Sequence, residues 1–220
     1  MTGSAAGTTK VAVVGAGSVG ATCAYACLVR GIGRTIALYD INADKTRAEV
    51  LDLNHGLQFV PQATVIGSDD VEVCRGADLV VITAGAKQKP GQTRLELAEA
   101  NVALSRALVP KLLEVAPDAV LLLVTNPVDV ITYATLRFSG LPPQRVFGSG
   151  TVLDSSRLRL LVAQDAPTII GYDQEEFVRQ LFPDRPIEPS LAAFAAARSA
   201  RWRICDAAST VAACCASFAS

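Results

Sequence analysis

Near the start of the chain, Gly15-Ala16-Gly17-Ser18-Val19-Gly20 has the residue types and spacing that a phosphate needs. The first glycine of such a triplet makes a tight turn, and the second lets the backbone approach a pyrophosphate. The third lets a helix pack against a strand. A helix opening here aims free N–H groups and the positive end of its dipole at the anion. Asp40 stands twenty positions after Gly20, where a carboxylate can accept both hydroxyls of an adenosine ribose and repel a 2′-phosphate. These residues predict a dinucleotide site that takes NAD in preference to NADP.

The elements around the triplet make it informative. Val11-Ala12-Val13-Val14 reads as a buried strand before the glycines, a run of small and apolar residues to Arg30 reads as a helix, and Thr35–Tyr39 reads as a second strand. Further strands are predicted at Ala63–Ile66, Leu79–Thr83, Val120–Val124 and Arg145–Phe147, after a first at Lys10–Val14. Leu79–Ile82 and Val120–Val124 are apolar on both faces, as parallel strands covered on both sides must be. Helical spacing appears over Ala43–Asn54, Thr93–Glu114 and Val128–Phe138. The chain is therefore expected to be α/β, a doubly wound parallel (Rossmann) sheet ordered 3-2-1-4-5-6, with only a vestige of a substrate domain. Ligands of such sheets bind beyond the carboxyl ends of the strands. Gly15–Gly20, Asp40, Thr83–Gly85, Thr125-Asn126 and Ser149 all follow those ends.

Composition narrows the function classes. Half of the 220 residues are hydrophobic and 19% are charged, enough to bury a sizeable core. A net charge of −1 gives no sign of a nucleic-acid or anionic-membrane partner. Met1–Thr9 is small and polar, unlike a secretory signal, and no apolar run reaches bilayer length, so a cytoplasmic protein is expected. The six cysteines fit a reducing compartment. Cys23 and Cys27, four apart on the first helix, read as small core residues, not metal ligands. Cys214-Cys215 in the alanine-rich tail are assigned no chemistry, and no metal site is expected. The expected organisation is a flexible 1–9, an NAD-binding domain at 10–150, the start of a substrate domain at 151–164, and an unrelated or low-complexity tail at 165–220. Within that tail Asp173-Gln174-Glu175-Glu176 resembles a capped helix start, with Phe177 and Leu181 four apart.

Seven blocks in a fixed order carry a resemblance. They are Gly15–Gly20; Leu51-Asp52-Leu53-Asn54-His55-Gly56; Thr83-Ala84-Gly85-Ala86-Lys87-Gln88-Lys89-Pro90-Gly91; Thr93-Arg94-Leu95; Val124-Thr125-Asn126-Pro127-Val128-Asp129; Gly148-Ser149-Gly150-Thr151; and Leu153-Asp154-Ser155-Ser156-Arg157-Leu158-Arg159. Residues 10 to about 164 thereby resemble the front half of bacterial L-lactate dehydrogenases, the NAD-dependent 2-hydroxy-acid dehydrogenases shared with malate dehydrogenase. The resemblance implies interconversion of L-lactate and pyruvate by hydride transfer, with a small 2-hydroxy or 2-oxo acid as partner. It implies cofactor contacts at Gly15, Ala16, Gly17, Ser18, Val19, Gly20, Asp40, Lys45, Thr83, Gly85, Ala86, Val124, Asn126 and Ser149.

It also implies the roles at the substrate. Gly85 to Arg94 would be a lid closing over bound substrate. Arg94 would polarise the substrate carbonyl as charge develops on its oxygen, and Gln88 would read the side chain. An amide tolerates a methyl group, whereas malate dehydrogenases place an arginine there to pair with a second carboxylate. Asn126 would bind the substrate oxygen beside the nicotinamide, with a cis bond to Pro127; a plain strand-to-helix turn with Pro127 in the first helical position is the simpler reading of those two residues. Arg157 would clamp the substrate carboxylate bidentately. Asp154, one turn earlier, would orient the catalytic histidine, and Arg159 matches a position that helps bind fructose 1,6-bisphosphate in allosteric members.

That histidine has no counterpart here. In the family it comes from a Gly-Glu-His-Gly-Asp-Ser block after the Asp154 helix, whereas here the family pattern stops after Ala163-Gln164. The chain's one histidine, His55, lies in the block that the family uses at a subunit interface, which implies that a homo-oligomer can form. The expectation is an L-lactate dehydrogenase by family whose chain, as written, turns over little or no substrate. The alternatives are a non-catalytic NAD-binding or interaction fragment, and a malate dehydrogenase, which Gln88 disfavours.

Overall fold

The computed structural model describes residues 9–86, 91 and 93–165, with the backbone alone for 159–165. The described residues hold six strands: β1 (Lys10–Val14), β2 (Thr35–Tyr39), β3 (Thr64–Ser68), β4 (Leu79–Ile82), β5 (Val120–Leu123) and β6 (Val146–Gly148). All pairings are parallel, in the order β3-β2-β1-β4-β5-β6. That is the order expected from the sequence. Five α-helices connect or follow them: α1 (Ser18–Arg30), α2 (Ala43–His55), α3 (Arg94–Val115), α4 (Val128–Ser139) and α5 (Val152–Asp165).

Alternation along the strands splits the core in two. Val11 and Val13, Ile36 and Leu38, and Leu79 and Val81 face α1, where Cys23, Ala24, Cys27 and Leu28 meet them. Ala12 and Val14, Val80 and Ile82, and Leu121 and Leu123 face Leu108, Val109 and Leu112 of α3 and Ile131 of α4. Both faces are covered, so the central strands have no polar side, and their apolar runs follow directly. Cys23 and Cys27 sit in this core, as read from their spacing. Burial pushes the Cys74 thiol up to about 11, against a smaller opposing pull from Lys10.

Boundaries moved slightly. β3 and β6 each begin one residue later than expected and run on to Ser68 and Gly148, because their ladder partners on β2 and β5 extend that far. Pro127 is not the first helical residue but the N-cap of α4, and the Asn126–Pro127 bond is cis. Gln88, Met1 to Thr8, Cys214-Cys215 and the Asp173–Leu181 helix signal lie outside the described residues, as does the side chain of Arg159. Among the described residues no helix is long and apolar enough to cross a membrane.

Candidate functional site

The carboxyl ends of β1, β2, β4, β5 and β6 lie on one edge of the sheet, and most of the cofactor residues singled out above stand just past one of them. The turn after β1 is built around two glycines. Gly15 has φ +106°, a conformation that L side chains rarely adopt, and its built Cβ would lie 2.8 Å from the Ala84 nitrogen. A Cβ on Gly20 would collide with the Gly15 carbonyl oxygen, so only glycine lets α1 start this close to β1.

Gly17 has a different reason. Its added Cβ would meet nothing within 4 Å, so no protein atom demands a glycine there. It is also the N-cap of α1, with no side-chain cap bond. A Cβ at Gly17 would project into clear space at the start of a helix whose first amides have no partner within the helix. Orphan donors, a helix N-terminus and room for a ligand suit a pyrophosphate.

Asp40 reaches back to this turn. Its Oδ2 accepts from the Ala16 N–H at 2.7 Å and its Oδ1 from the Asn42 N–H at 3.0 Å. Both oxygens retain lone pairs for further donors. Because Tyr39 pairs with Ser68, Asp40 and Asp69 follow at equivalent places on adjacent strands. The Tyr39 phenol is raised above its ordinary pKa, first by burial and then by Cys74 and the carboxylates of Asp40, Asp70 and Asp69. This corner is anionic and would repel an added phosphate. Lys45, exposed in the first turn of α2, is the basic residue singled out here. The backbone of that turn is capped by the Asn42 side chain, which accepts from the Lys45 N–H at 3.0 Å.

On the other half of the edge, short polar side chains tie the loops together. The Thr83 hydroxyl donates to the Val14 carbonyl at 3.0 Å, and the Gly15 carbonyl lies 3.2 Å away. The buried Thr125 hydroxyl donates to the Ala84 carbonyl at 2.8 Å. Asn101 of α3 is 1% exposed and makes two bonds: its Oδ1 accepts from the Ala86 N–H at 2.7 Å, and its Nδ2 donates to the Asn126 carbonyl at 2.8 Å. The sequence reading missed Asn101. The only signal it offered was a polar residue on the apolar face of a helix, three after Ala98 and four before Ser105, which are also buried. Val124 and Ser149 continue the floor, the Ser149 N–H donating to the Leu123 carbonyl at 2.8 Å.

The charged residues are more open. Arg94 is the first residue of α3, exposed, just after a capping box in which the Thr93 side chain and the Glu96 carboxylate satisfy each other's backbone N–H. Those bonds hold the Glu96 carboxyl below its ordinary range. On α5, the Arg157 guanidinium lies 3.6 Å from Asp154, one turn away, and both are exposed. Gly85 and Ala86 are placed, but Gln88 is not among the described residues. His55 is elsewhere. It ends α2, which leaves the carboxyl end of β2 and runs back about 20 Å to the opposite edge of the sheet.

The profile of the lactate/malate dehydrogenase NAD-binding domain matches residues 9–148. The chain belongs to the lactate/malate dehydrogenase family. An L-lactate dehydrogenase of Bifidobacterium animalis subsp. lactis is 57% identical over 156 residues, covering 71% of this chain and 49% of that protein. L-lactate dehydrogenase B of Hordeum vulgare is 51% identical over 156 residues, 71% of this chain and 45% of its own length. Among solved structures, malate dehydrogenase from Archaeoglobus fulgidus in complex with NADH superposes with TM-score 0.70 at 39% identity, covering 72% of this chain and 54% of that one. A lactate dehydrogenase from a Medee basin deep-sea metagenome library gives TM-score 0.67 at 43% identity, over 71% of this chain and 50% of the other. This lactate/malate dehydrogenase chain thus spans about half the length of the curated relatives it matches. It carries the family's NAD-binding domain.

Proposed function

We propose that the chain is the cofactor-binding half of an L-lactate dehydrogenase, taking NAD(H) across the crevice between β1 and β4. The observation that carries this reading is the open N-terminus of α1 at Gly17 with the Asp40 carboxylate fixed beside it. The pyrophosphate would lie on the α1 amides and the adenosine ribose against Asp40. Gly15, Ala16, Ser18, Val19 and Gly20 would supply the turn, and Lys45 would flank the adenosine side. Thr83, Gly85, Ala86, Val124, Asn126 and Ser149 would form the floor under the other half. A dinucleotide held there would supply the hydride chemistry.

The chain's own residues would handle the substrate. Arg157 would leave its exposed partner Asp154 for the substrate carboxylate, at little cost, because an exposed ion pair is worth little. Arg94 would stabilise charge on the substrate oxygen together with the Asn126 side chain. Gln88 would admit a methyl group, which favours lactate and pyruvate over malate and oxaloacetate. Asp154 would orient a histidine, and Arg159 would lie toward an allosteric anion.

One observation favours a second reading, a non-catalytic NAD-binding or interaction module. The single histidine, His55, is on the edge of the sheet opposite the crevice. Tyr25, Leu28, Leu53 and Val60, with Glu49 and Asp52, line a groove between α1 and α2, and Leu51 and Phe59 are exposed nearby. This apolar surface supports a homo-oligomer.

The deciding test is a calorimetric titration of the chain and its Asp40→Ala variant with NADH and with NADPH. NADH should bind more tightly to the chain as it stands, and the preference should shrink in the variant. Equal affinities, or an unchanged preference after Asp40→Ala, would sink the cofactor assignment.

A further inference from the structure

A buried amide stands behind the loops of the crevice without belonging to either. Asn101 lies two turns into α3, on the helix that opens with Arg94, and it is almost wholly buried. A buried primary amide left unpaired is costly, and it is retained where both of its ends are used. Here they are used on different loops. Its oxygen holds the Ala86 N–H, in the segment after β4, and its nitrogen holds the Asn126 carbonyl, in the segment after β5. Neither bond repeats a sheet ladder, whose last β4–β5 pair is Ile82 with Leu123. One further backbone bond follows, from the Val124 N–H to the Ile82 carbonyl at 2.9 Å, and past it side chains tie these segments together. Thr125 makes one such tie at Ala84, and Asn101 makes the outer one.

The geometry points to Asn101 as a positioning residue that keeps the post-β4 and post-β5 loops in one fixed relation, ready for the nicotinamide half of the dinucleotide. The inference rests on the cofactor reading above. In a doubly wound sheet the adenosine half lies over β1 and β2, where Asp40 stands, so the other half must cross β4 and β5. A floor held in place before binding spares the ligand the cost of ordering two loops. The consequence is a division: losing Asn101 should weaken the nicotinamide half and leave the adenosine–pyrophosphate half alone. A merely structural residue would not distinguish the two.

The test uses the full 220-residue chain with two probes, NADH and ADP. ADP keeps the adenosine ribose and pyrophosphate but lacks the nicotinamide riboside. Affinities are measured by calorimetry, and bound NADH is followed by its fluorescence. Asn101→Ala removes both bonds. Asn101→Asp keeps the acceptor for Ala86 N–H but sets a carboxylate oxygen against the Asn126 carbonyl. Both variants should bind NADH about tenfold more weakly and lose part of its bound fluorescence change, while ADP affinity stays within about twofold. Retained ADP binding also reports that the variant has folded. NADH binding at the original strength in either variant overturns the inference. So does an equal loss of ADP and NADH, which would mark Asn101 as a general support of the fold. If the unaltered chain binds neither probe, the cofactor reading itself falls and the inference goes with it.

Discussion

The two glycines that flank the start of α1 are required for different reasons. A Cβ on Gly20 would strike the Gly15 carbonyl and come within 2.8 Å of the Thr83 hydroxyl, so Gly20→Ala must push α1 off β1. It should destabilise the domain by about 1–3 kcal/mol, as overpacking does, and weaken NADH binding at least tenfold. Gly17→Ala meets only empty space, and its φ of −72° suits alanine. It should cost under about 1 kcal/mol of stability, the scale of an altered cap, yet weaken NADH at least as much, because its methyl stands where the pyrophosphate would. Urea denaturation beside NADH titration separates the two. Parallel losses in both variants would mean that the space at Gly17 is not a phosphate cradle.

Helix α3 joins its charged start to its buried middle. Arg94 is held at its first position by the Thr93–Glu96 box, and Asn101 follows seven residues later on the same face. Thr93→Ala should make the first-turn amides of α3, Glu96 above all, exchange with deuterium about fivefold faster at neutral pH. The pH dependence has a definite sign. The Glu96 carboxyl is held below its ordinary range by its bonds to Thr93, so its contribution is complete above that range and is lost as pH falls from there through the lowered folded-state value. Protection of the first turn should therefore decline on acidification. In Glu96→Gln that dependence should vanish, and persistence of the same acid sensitivity would show that another group sets it.

For the whole molecule the question is where a proton could go. Arg94, Asn126, Asp154 and Arg157 stand on elements that follow the carboxyl ends of β4, β5 and β6, whereas His55 closes α2 at the far edge. An alcohol cannot give up its hydride without also losing its hydroxyl proton, and a carboxylate with an ordinary pKa near ~4 is a poor shuttle at neutral pH. With pyruvate and NADH, turnover by this chain should fall at least about 100-fold below that of the Bifidobacterium relative. His55→Ala should leave any residual rate unchanged. Robust turnover that disappears in Arg157→Ala, and again in His55→Ala, would show that the chain does bring its histidine to the substrate.

Much of this was legible in the residues themselves. Apolar runs without a polar face require strands covered on both sides, so Leu79–Ile82 and Val120–Leu123 announce the sheet centre. Strand–helix alternation with the glycine turn predicts the 3-2-1-4-5-6 order, because right-handed crossovers leave few other windings. Gly15, Gly20 and Asp40 could be picked out because their demands are local: a backbone conformation, a missing Cβ, an acid at a strand end. Asn101 could not. Its two partners lie fifteen and twenty-five residues away in different loops, and a lone asparagine in a helix looks the same whether it faces water or a buried carbonyl. The local sequence set the elements and the edge on which the site gathers. Which polar side chains would join the loops there was decided only when α3 packed against the sheet and removed the water that would otherwise have satisfied them.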